Sequence, residues 1–228
     1  MTECESTGAV LRDVWMEAAR RLEDAGVSDN RFEAEVLLRH AVGQTRAELY
    51  ANLVNPIDMA AQNRFDEVLA RRIEREPLAY ITGSREFFKI EFEVSPAVLV
   101  PRPESEILVE AALDHLRQLR VRRARVVDVG TGSGAIGIAI AKNRRDARLL
   151  GIDSSREALI VARRNAHRLI PRRPGQWLQG DLLTAVQGPL DCVVANLPYV
   201  PSGRLPELEP EVSEYEPRQA LTPGTAGT

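Results

Sequence analysis

The feature that most constrains the fold of this chain is a glycine-rich turn directly after a short apolar strand pattern. Residues 126–129 are three valines and an aspartate, residues 130–134 contain three glycines, and residues 136–142 are mostly apolar. Glycine adopts backbone conformations that other residues avoid, and its lack of a side chain lets the backbone approach a ligand closely. A strand, a tight turn and a helix in this order predict a ligand site at the N-terminus of the helix.

Strand and helix patterns alternate after this turn. Short apolar runs, typical of strands, occur at residues 149–153, 176–181 and 190–195. Between the first two runs, the apolar residues of segment 158–162 have helical spacing. Alternation of this kind predicts an α/β fold with a doubly wound, mostly parallel sheet. Ligands of such sheets bind beyond the carboxyl ends of the strands, so the residues directly after these runs are candidates for a site.

The residues before the sheet pattern have a helical period. Apolar residues recur at helical spacing between residues 10 and 76, with a capping box at residues 45–48. Residues 85–100 change to the pattern of a hairpin, and residues 101–103 are Pro-Arg-Pro. We therefore expect a helical bundle over residues 1–84 that docks the substrate, a hairpin and linker over 85–103, and a ligand-binding α/β domain over 104–228.

Composition excludes several classes of protein. The formal net charge is −3, and no apolar stretch reaches the length of a membrane span. Residues 1–84 contain ten arginines and fifteen acidic residues, a net charge of about −5 that suits docking of a protein better than of DNA. Cys4 and Cys192 form no metal or disulfide pattern, and the first residues lack the basic start of a signal peptide. We expect a cytoplasmic protein with no membrane partner, no direct binding of nucleic acid and no metal.

Acidic residues end three successive strand patterns. Asp128, Asp153 and Asp181 would meet at one edge of the sheet, and together they favour a ligand with an ammonium group, a ribose and an adenine amine. Residues 128–134 fit an S-adenosylmethionine loop, in which Asp128 faces the ammonium group. Residues 132–137, with Asp153 about 20 residues further on, also fit the fingerprint of a nicotinamide dinucleotide site. Each aspartate taken singly could be a helix cap, so a nicotinamide enzyme stays open as an alternative.

A short motif, residues 196–199, follows the last strand pattern. Asn196 offers an amide acceptor and donor, Pro198 fixes the backbone and leaves its carbonyl free, and Tyr199 supplies a flat aromatic face. These groups suit a planar amide or an exocyclic amine as substrate. The same residues are also common in a strand-to-loop turn, which remains the alternative for the motif taken alone.

Several segments, in order, resemble one enzyme family, the protein-glutamine N5-methyltransferases that modify peptide chain release factors. Residues 196–199 are similar to the family's Asn-Pro-Pro-Tyr motif, with Leu197 in place of the first proline. The other similar segments are residues 99–106, 128–134, 180–183 and 214–221. The resemblance implies a class I, Rossmann-like methyltransferase that uses S-adenosylmethionine and acts on a release factor.

The resemblance also implies roles for individual residues. The side-chain oxygen of Asn196 and the backbone carbonyl of Leu197 would accept the two hydrogens of the substrate amide, while Tyr199 packs on its plane. Asn196, Pro198 and Tyr199 would be catalytic, and Leu197 and Arg102, the latter from a segment stiffened by two prolines, would bind substrate. The predicted cofactor residues are Asp128, Gly130, Thr131, Gly132, Ser133, Gly134, Asp153, Asp181, Leu182 and Asn196.

Three other functions stay open at this point: a glutamine methyltransferase of a ribosomal protein, an adenine-N6 methyltransferase of nucleic acid, and a non-catalytic chain that binds a partner. The family has a seven-stranded sheet, whereas four strand patterns follow residue 124 here, and residues 222–228 are small and polar. We therefore expect an incomplete sheet with residues 190–195 at its edge. An apolar edge strand favours association, so we expect the chain to be less stable than a full-length relative, prone to aggregate and weakly active.

Overall fold

The computed structural model describes residues 9–119 and 121–223. The chain divides into two compact units, Met1–Thr82 and Gly83–Thr228. No helix among the described residues is long and apolar enough to cross a membrane. Cys4 and the end of the predicted polar tail, residues 224–228, lie outside the described residues.

The first unit is helical, as its apolar period predicts. Its described helices are α1 (Leu11–Asp24), α2 (Asn30–Val42), α3 (Arg46–Ala51), α4 (Met59–Ile73) and α5 (Leu78–Thr82). The predicted capping box is present at the start of α3, where Thr45 and Glu48 exchange hydrogen bonds between side chain and backbone. The helices bury a core that includes Leu22, Leu37 and Phe65. Helix α5 is not evident from the sequence, because Pro77 ends one helical pattern while its carbonyl accepts the first bonds of the next helix.

The second unit begins with a hairpin of β1 (Ser84–Phe87) and β2 (Ile90–Glu93). Its two turn residues, Phe88 and Lys89, have φ of 52° and 56°, as a two-residue hairpin turn with left-handed backbone requires. The second strand of the hairpin ends at Glu93, whereas the sequence predicted that the hairpin would continue to residue 100. A 3₁₀ turn (Pro103–Ser105) then leads into α6 (Glu106–Leu119), and the proline at the start of the turn fixes the backbone as it enters the helix.

A four-stranded parallel sheet forms the centre of the second unit and confirms the predicted fold class. Its strands are β3 (Arg125–Val129), β4 (Arg148–Asp153), β5 (Gln176–Gln179) and β6 (Cys192–Ala195), in the order β5-β4-β3-β6. Helix α7 (Ala135–Asn143) connects β3 to β4, and α8 (Arg156–Leu169) connects β4 to β5. The chain then returns to pair β6 on the other side of β3. This reversal opens a crevice at the carboxyl ends of β3, β4 and β6.

The faces of the sheet differ in their packing. Val126, Leu149 and Val194 pack into the larger core together with α6, α7 and α8. Val127, Val129 and Ile152 form a smaller cluster on the other face, against partly buried residues such as Val186 and Leu190. Within the described residues, β6 pairs on one side, with β3, and Val193 is 45% exposed there.

The residues after β6 form short irregular helices that the sequence patterns did not predict. They are a 3₁₀ helix (Ser202–Glu207), a π-helical segment (Glu211–Tyr215) and α9 (Arg218–Leu221). Val200 N donates to Leu221 O at 3.0 Å, which returns the end of this segment to the residues beside β6. Short helices with few apolar residues lack the periodicity on which a prediction from sequence depends.

Candidate functional site

A cavity of about 530 Å³ lies in the second unit at the carboxyl ends of β3, β4 and β6. Its lining comes from Phe87 and from six stretches of chain that the fold brings together: parts of 97–105, 129–136, 152–158, 180–182, 196–198 and 217–223. Most of the predicted site residues line it: Arg102, Gly130, Thr131, Gly132, Ser133, Asp153, Asp181, Leu182, Asn196, Leu197 and Pro198. Asp128, Gly134 and Tyr199 are not part of this lining.

The glycine turn has the tight geometry that its sequence predicts. Gly130 has φ of 67°, and a Cβ atom placed on it would lie 3.1 Å from Leu197 Cδ2. Gly134 has φ of 82°, and its Cβ would lie 2.7 Å from Ile138 Cδ1. Both positions need glycine, since the left-handed backbone and the lack of space each disfavour a side chain. The turn therefore presents backbone rather than side chains to a ligand at the start of α7.

Asp128 lies beneath the turn and not on the cavity wall. It is 1% exposed, and its Oδ2 accepts hydrogen bonds from Thr131 Oγ1 at 2.7 Å and from Gly137 N at 2.9 Å. This position differs from the expected direct contact with an ammonium group, because the sequence places Asp128 before the turn without revealing that the turn folds over it. Burial raises the pKa of Asp128 to about 6, and the hydrogen bonds offset this effect only in part.

Asp153 joins the end of β4 to the glycine turn. Its Oδ2 accepts from Gly132 N at 2.8 Å, and its Oδ1 accepts from Ser155 N at 2.9 Å. Each carboxylate oxygen has a further lone pair, so Asp153 can still accept hydrogen bonds from a ligand in the cavity. Such a position at the cavity wall fits the two hydroxyls of a ribose.

Asp181 and Leu182 form the wall beyond β5. Asp181 is exposed and lines the cavity, and its backbone carbonyl accepts from Thr184 N at 3.1 Å. Leu182 has φ of 47°, a left-handed conformation that a branched apolar residue adopts only where the surroundings impose it. The result is one carboxylate and one apolar side chain side by side, which suits an adenine ring with its exocyclic amine.

Asn196, Leu197 and Pro198 line the end of the cavity that follows β6, next to the glycine turn. Asn196 Nδ2 donates to Ser105 Oγ at 3.2 Å. The Leu197 side chain is 38% exposed and lies against Gly130, as the short distance to a Cβ at that position indicates. Tyr199 is 80% exposed, so its packing on a substrate amide stays a prediction that needs the substrate itself.

Arg102 also lines this end of the cavity and forms an ion pair. Its Nη2 lies 2.7 Å from Oε1 of Glu216, whose side chain is only 2% exposed. Burial raises the pKa of Glu216 to about 7, because the loss of hydration outweighs the attraction to Arg102. Sequence reasoning noted the segment around Glu216 but gave that residue no role, since its partner is 114 positions away.

Ser105 is the second residue of this end that sequence reasoning missed. It closes the 3₁₀ turn, where its backbone N donates to Arg102 O at 3.0 Å. The available signal was its place two residues after the Pro-Arg-Pro segment.

Among the described residues, no group of three or more His, Cys, Asp and Glu side chains could hold a metal ion.

Comparison with known proteins identifies the family. The family model of the PrmC N-terminal domain matches residues 13–83, and that of the methyltransferase small domain matches residues 104–206. The release factor glutamine methyltransferase of Nitratidesulfovibrio vulgaris is 38% identical over 229 residues, which cover 100% of this chain and 77% of that protein. The chain belongs to the release factor glutamine methyltransferase family.

Two further members of the family have similar identity. The release factor glutamine methyltransferase of Moorella thermoacetica is 43% identical over 95% of this chain and 76% of its own length. That of Burkholderia pseudomallei is 44% identical over 84% of this chain and 68% of its own length. Among solved structures, a ribosomal protein L11 methylase from Lactobacillus delbrueckii subsp. bulgaricus has a TM-score of 0.35 and 26% identity, over 52% of this chain and 58% of that chain.

Membership in the release factor glutamine methyltransferase family decides between the two cofactors that the glycine turn left open. The chain is a methyltransferase of a family that uses S-adenosylmethionine, and the nicotinamide alternative is excluded. The cavity fits this group, because its lining includes the backbone of Gly130 and Gly132, free acceptor capacity on Asp153 and the carboxylate of Asp181.

Proposed function

We propose that this protein transfers a methyl group from S-adenosylmethionine to the side-chain amide nitrogen of a glutamine in a peptide chain release factor. The names of the relatives support this substrate. The observation that carries the proposal is that the glycine turn and Asn196, Leu197 and Pro198 line the same cavity, with Leu197 against Gly130. A donor bound at the turn and an acceptor bound at Asn196 would therefore meet within one site.

At the donor end, the residues of this chain would hold the cofactor in three places. The backbone of Gly130–Gly134 would face the amino acid portion, Asp153 would accept from the ribose hydroxyls, and Asp181 with Leu182 would bind the adenine. Asp128 would act from beneath the turn, by holding Thr131 and Gly137 in place. When bound, S-adenosylmethionine supplies a methyl group on a positively charged sulfur.

At the acceptor end, the chain must hold a weak nucleophile in line. An amide nitrogen shares its lone pair with the neighbouring carbonyl, so positioning contributes much of the rate. Asn196 Oδ1 and the Leu197 carbonyl would accept the two N–H groups of the glutamine and favour electron density on its nitrogen. These two acceptors would hold the nitrogen in line with the methyl group that the cofactor would supply, and the nitrogen would give up one of its two protons as the methyl group is transferred and the electron pair of the carbon–sulfur bond stays on sulfur.

The wall around the acceptor end would exclude water and orient the substrate backbone. Arg102 contributes to this wall, and Pro198 leaves a carbonyl free to accept. Tyr199, the exposed residue directly after Pro198, would pack on the substrate amide after binding.

The partner is proposed to be a protein and not a nucleic acid, in the cytoplasm, where translation ends. The net charge of about −5 on residues 1–84 opposes binding of phosphate backbones and is compatible with docking of a protein. The first unit is proposed as the part that docks the release factor.

A substrate panel tests the proposed function. The full chain is incubated with S-adenosylmethionine labelled in its methyl group and, in separate reactions, with a release factor, ribosomal proteins and duplex DNA. Label on the release factor, lost when its acceptor glutamine is replaced by alanine, is the expected result. Label on a ribosomal protein or on DNA instead of the release factor would contradict the proposal.

A further inference from the structure

Ser105 and Asn196 meet at the acceptor end of the cavity although they are 91 positions apart. Asn196 Nδ2 donates to Ser105 Oγ at 3.2 Å, and both residues line the cavity. Both are half-buried. The contact therefore lies at the surface that an acceptor would touch.

The contact engages one particular end of the Asn196 side chain. An asparagine amide has a donor end, Nδ2, and an acceptor end, Oδ1. With Nδ2 directed at Ser105, the end left for a ligand is Oδ1. A substrate amide presents two N–H donors, so it needs an acceptor on Asn196. If the Asn196 amide were turned by 180°, its Nδ2 would face the N–H groups of the substrate, donor against donor.

Ser105 itself is held in a fixed place. It ends the 3₁₀ turn that begins at Pro103, and its backbone N donates to Arg102 O at 3.0 Å. Arg102 is in turn paired with the buried Glu216 at 2.7 Å. The serine hydroxyl thus follows directly on a segment that is anchored by a proline and by an ion pair.

We infer that Ser105 is a positioning residue for methyl transfer: its hydroxyl holds the nitrogen of the Asn196 amide and so turns the Asn196 oxygen toward the acceptor amide. This inference rests on the proposed function, and it adds a residue that acts through Asn196 without touching the reacting atoms. Its prediction is specific, because the hydroxyl at position 105 matters only while Asn196 is present.

A matched pair of variants isolates the hydroxyl. Thr and Val have nearly the same shape, and only Thr keeps the hydroxyl oxygen that Asn196 Nδ2 contacts. We expect Ser105→Ala and Ser105→Val to lower kcat for methyl transfer by about 3- to 10-fold, the size of one hydrogen bond. We expect Ser105→Thr to restore most of it and the Kd for S-adenosylmethionine to stay unchanged in all three.

A double-mutant cycle separates positioning from general damage to the wall. In an Asn196→Ala background, Ser105→Ala should lower kcat no further, since there is no amide left to orient. An equal loss in both backgrounds would overturn the inference. So would a wild-type kcat in Ser105→Ala, or a loss that Ser105→Thr and Ser105→Val share.

A measurement that does not require activity keeps the inference independent of the proposed function. In a ¹⁵N-labelled full chain, the side-chain amide signals of Asn196 are assigned by their loss in Asn196→Ala. We expect these signals to move in Ser105→Ala and Ser105→Val and to stay near their wild-type position in Ser105→Thr. If they do not move, the inference fails; if they move while no substrate is methylated, the contact stands and the proposed function fails.

Discussion

Arg102 donates to the buried carboxylate of Glu216 across 2.7 Å and so joins the segment before α6 to the segment after the π-helical turn. Glu216 Oε2 is buried and has no hydrogen-bond partner among the described residues. The pair therefore holds two walls of the cavity together while one of its carboxylate oxygens stays unsatisfied. A buried charge that is only partly compensated makes such a contact sensitive to protonation.

The first prediction concerns the pH dependence of stability. The pKa of Glu216 is about 7 in the folded chain, above its ordinary value of 4.5, so folding favours the protonated form. Its contribution to the free energy of unfolding is fully present below pH 4.5 and is lost as pH rises through 7. The Tm of Glu216→Gln minus the Tm of wild type should therefore increase as pH rises from 5 to 8. Thermal unfolding monitored by circular dichroism measures this difference.

Glu110→Gln provides the matched control, because Glu110 is exposed on α6. The difference in Tm between this variant and wild type should stay constant over the same pH range. If Glu216→Gln also keeps a constant difference from wild type, Glu216 does not titrate in this window and the pair behaves as an ordinary exposed contact.

The second prediction concerns cofactor binding and Asp128. Burial holds the pKa of this carboxyl at about 6, and a cationic ligand above the turn favours its ionised form. Binding of S-adenosylmethionine should therefore release protons and weaken as pH falls from 7 to 5, by up to about 10-fold for one titrating group. Calorimetry in two buffers of different ionisation enthalpy measures both effects.

Asp128→Asn is the control for this linkage, since its amide oxygen can still accept from Thr131 Oγ1 and Gly137 N. The variant should bind the cofactor with little dependence on pH between 5 and 7. A wild-type affinity that is independent of pH would show that the Asp128 charge does not reach the ligand.

The third prediction concerns the contact between the glycine turn and the motif after β6. Gly130→Ala places a methyl group 3.1 Å from Leu197 Cδ2 on a backbone with φ of 67°. We expect the free energy of unfolding to fall by about 1–2 kcal/mol from the backbone alone, and kcat to fall as Leu197 is displaced. Denaturant unfolding and methyl-transfer assays measure the two effects.

Gly203→Ala is the matched substitution, because a Cβ at Gly203 meets nothing within 4 Å. It should leave kcat unchanged. Adding Leu197→Ala to Gly130→Ala should relieve the contact but not the backbone strain. Wild-type stability and kcat in Gly130→Ala would mean that the turn is looser than its geometry indicates.

The sheet and the glycine turn could be predicted from the sequence because both depend on local pattern. Three valines before three glycines specify a strand and a turn, and the alternating runs specify parallel strands. The four strands appear where these runs predict them, although β5 and β6 are shorter than the runs. The capping box at Thr45 is likewise a signal of four consecutive residues.

The contacts that complete the site could not be predicted in this way. Glu216 reaches Arg102 over 114 positions, and Asn196 reaches Ser105 over 91, so no local period reports either contact. The burial of Asp128 depends on how α7 folds back over β3. Tyr199 and the residues after β6 depend on packing that the motif itself does not encode.

In the proposed mechanism, Asn196 acts on the acceptor amide. The most direct measurement compares Asn196→Ala with wild type, by mapping the methylated residue of the release factor with tandem mass spectrometry and by measuring cofactor affinity with calorimetry. We expect one methyl group on the side-chain nitrogen of one glutamine, a fall in kcat of about 100-fold or more in Asn196→Ala, and a Kd for S-adenosylmethionine within about 3-fold of wild type. Equal losses in kcat and in cofactor affinity, or a methyl group on any atom other than a glutamine amide nitrogen, would contradict it.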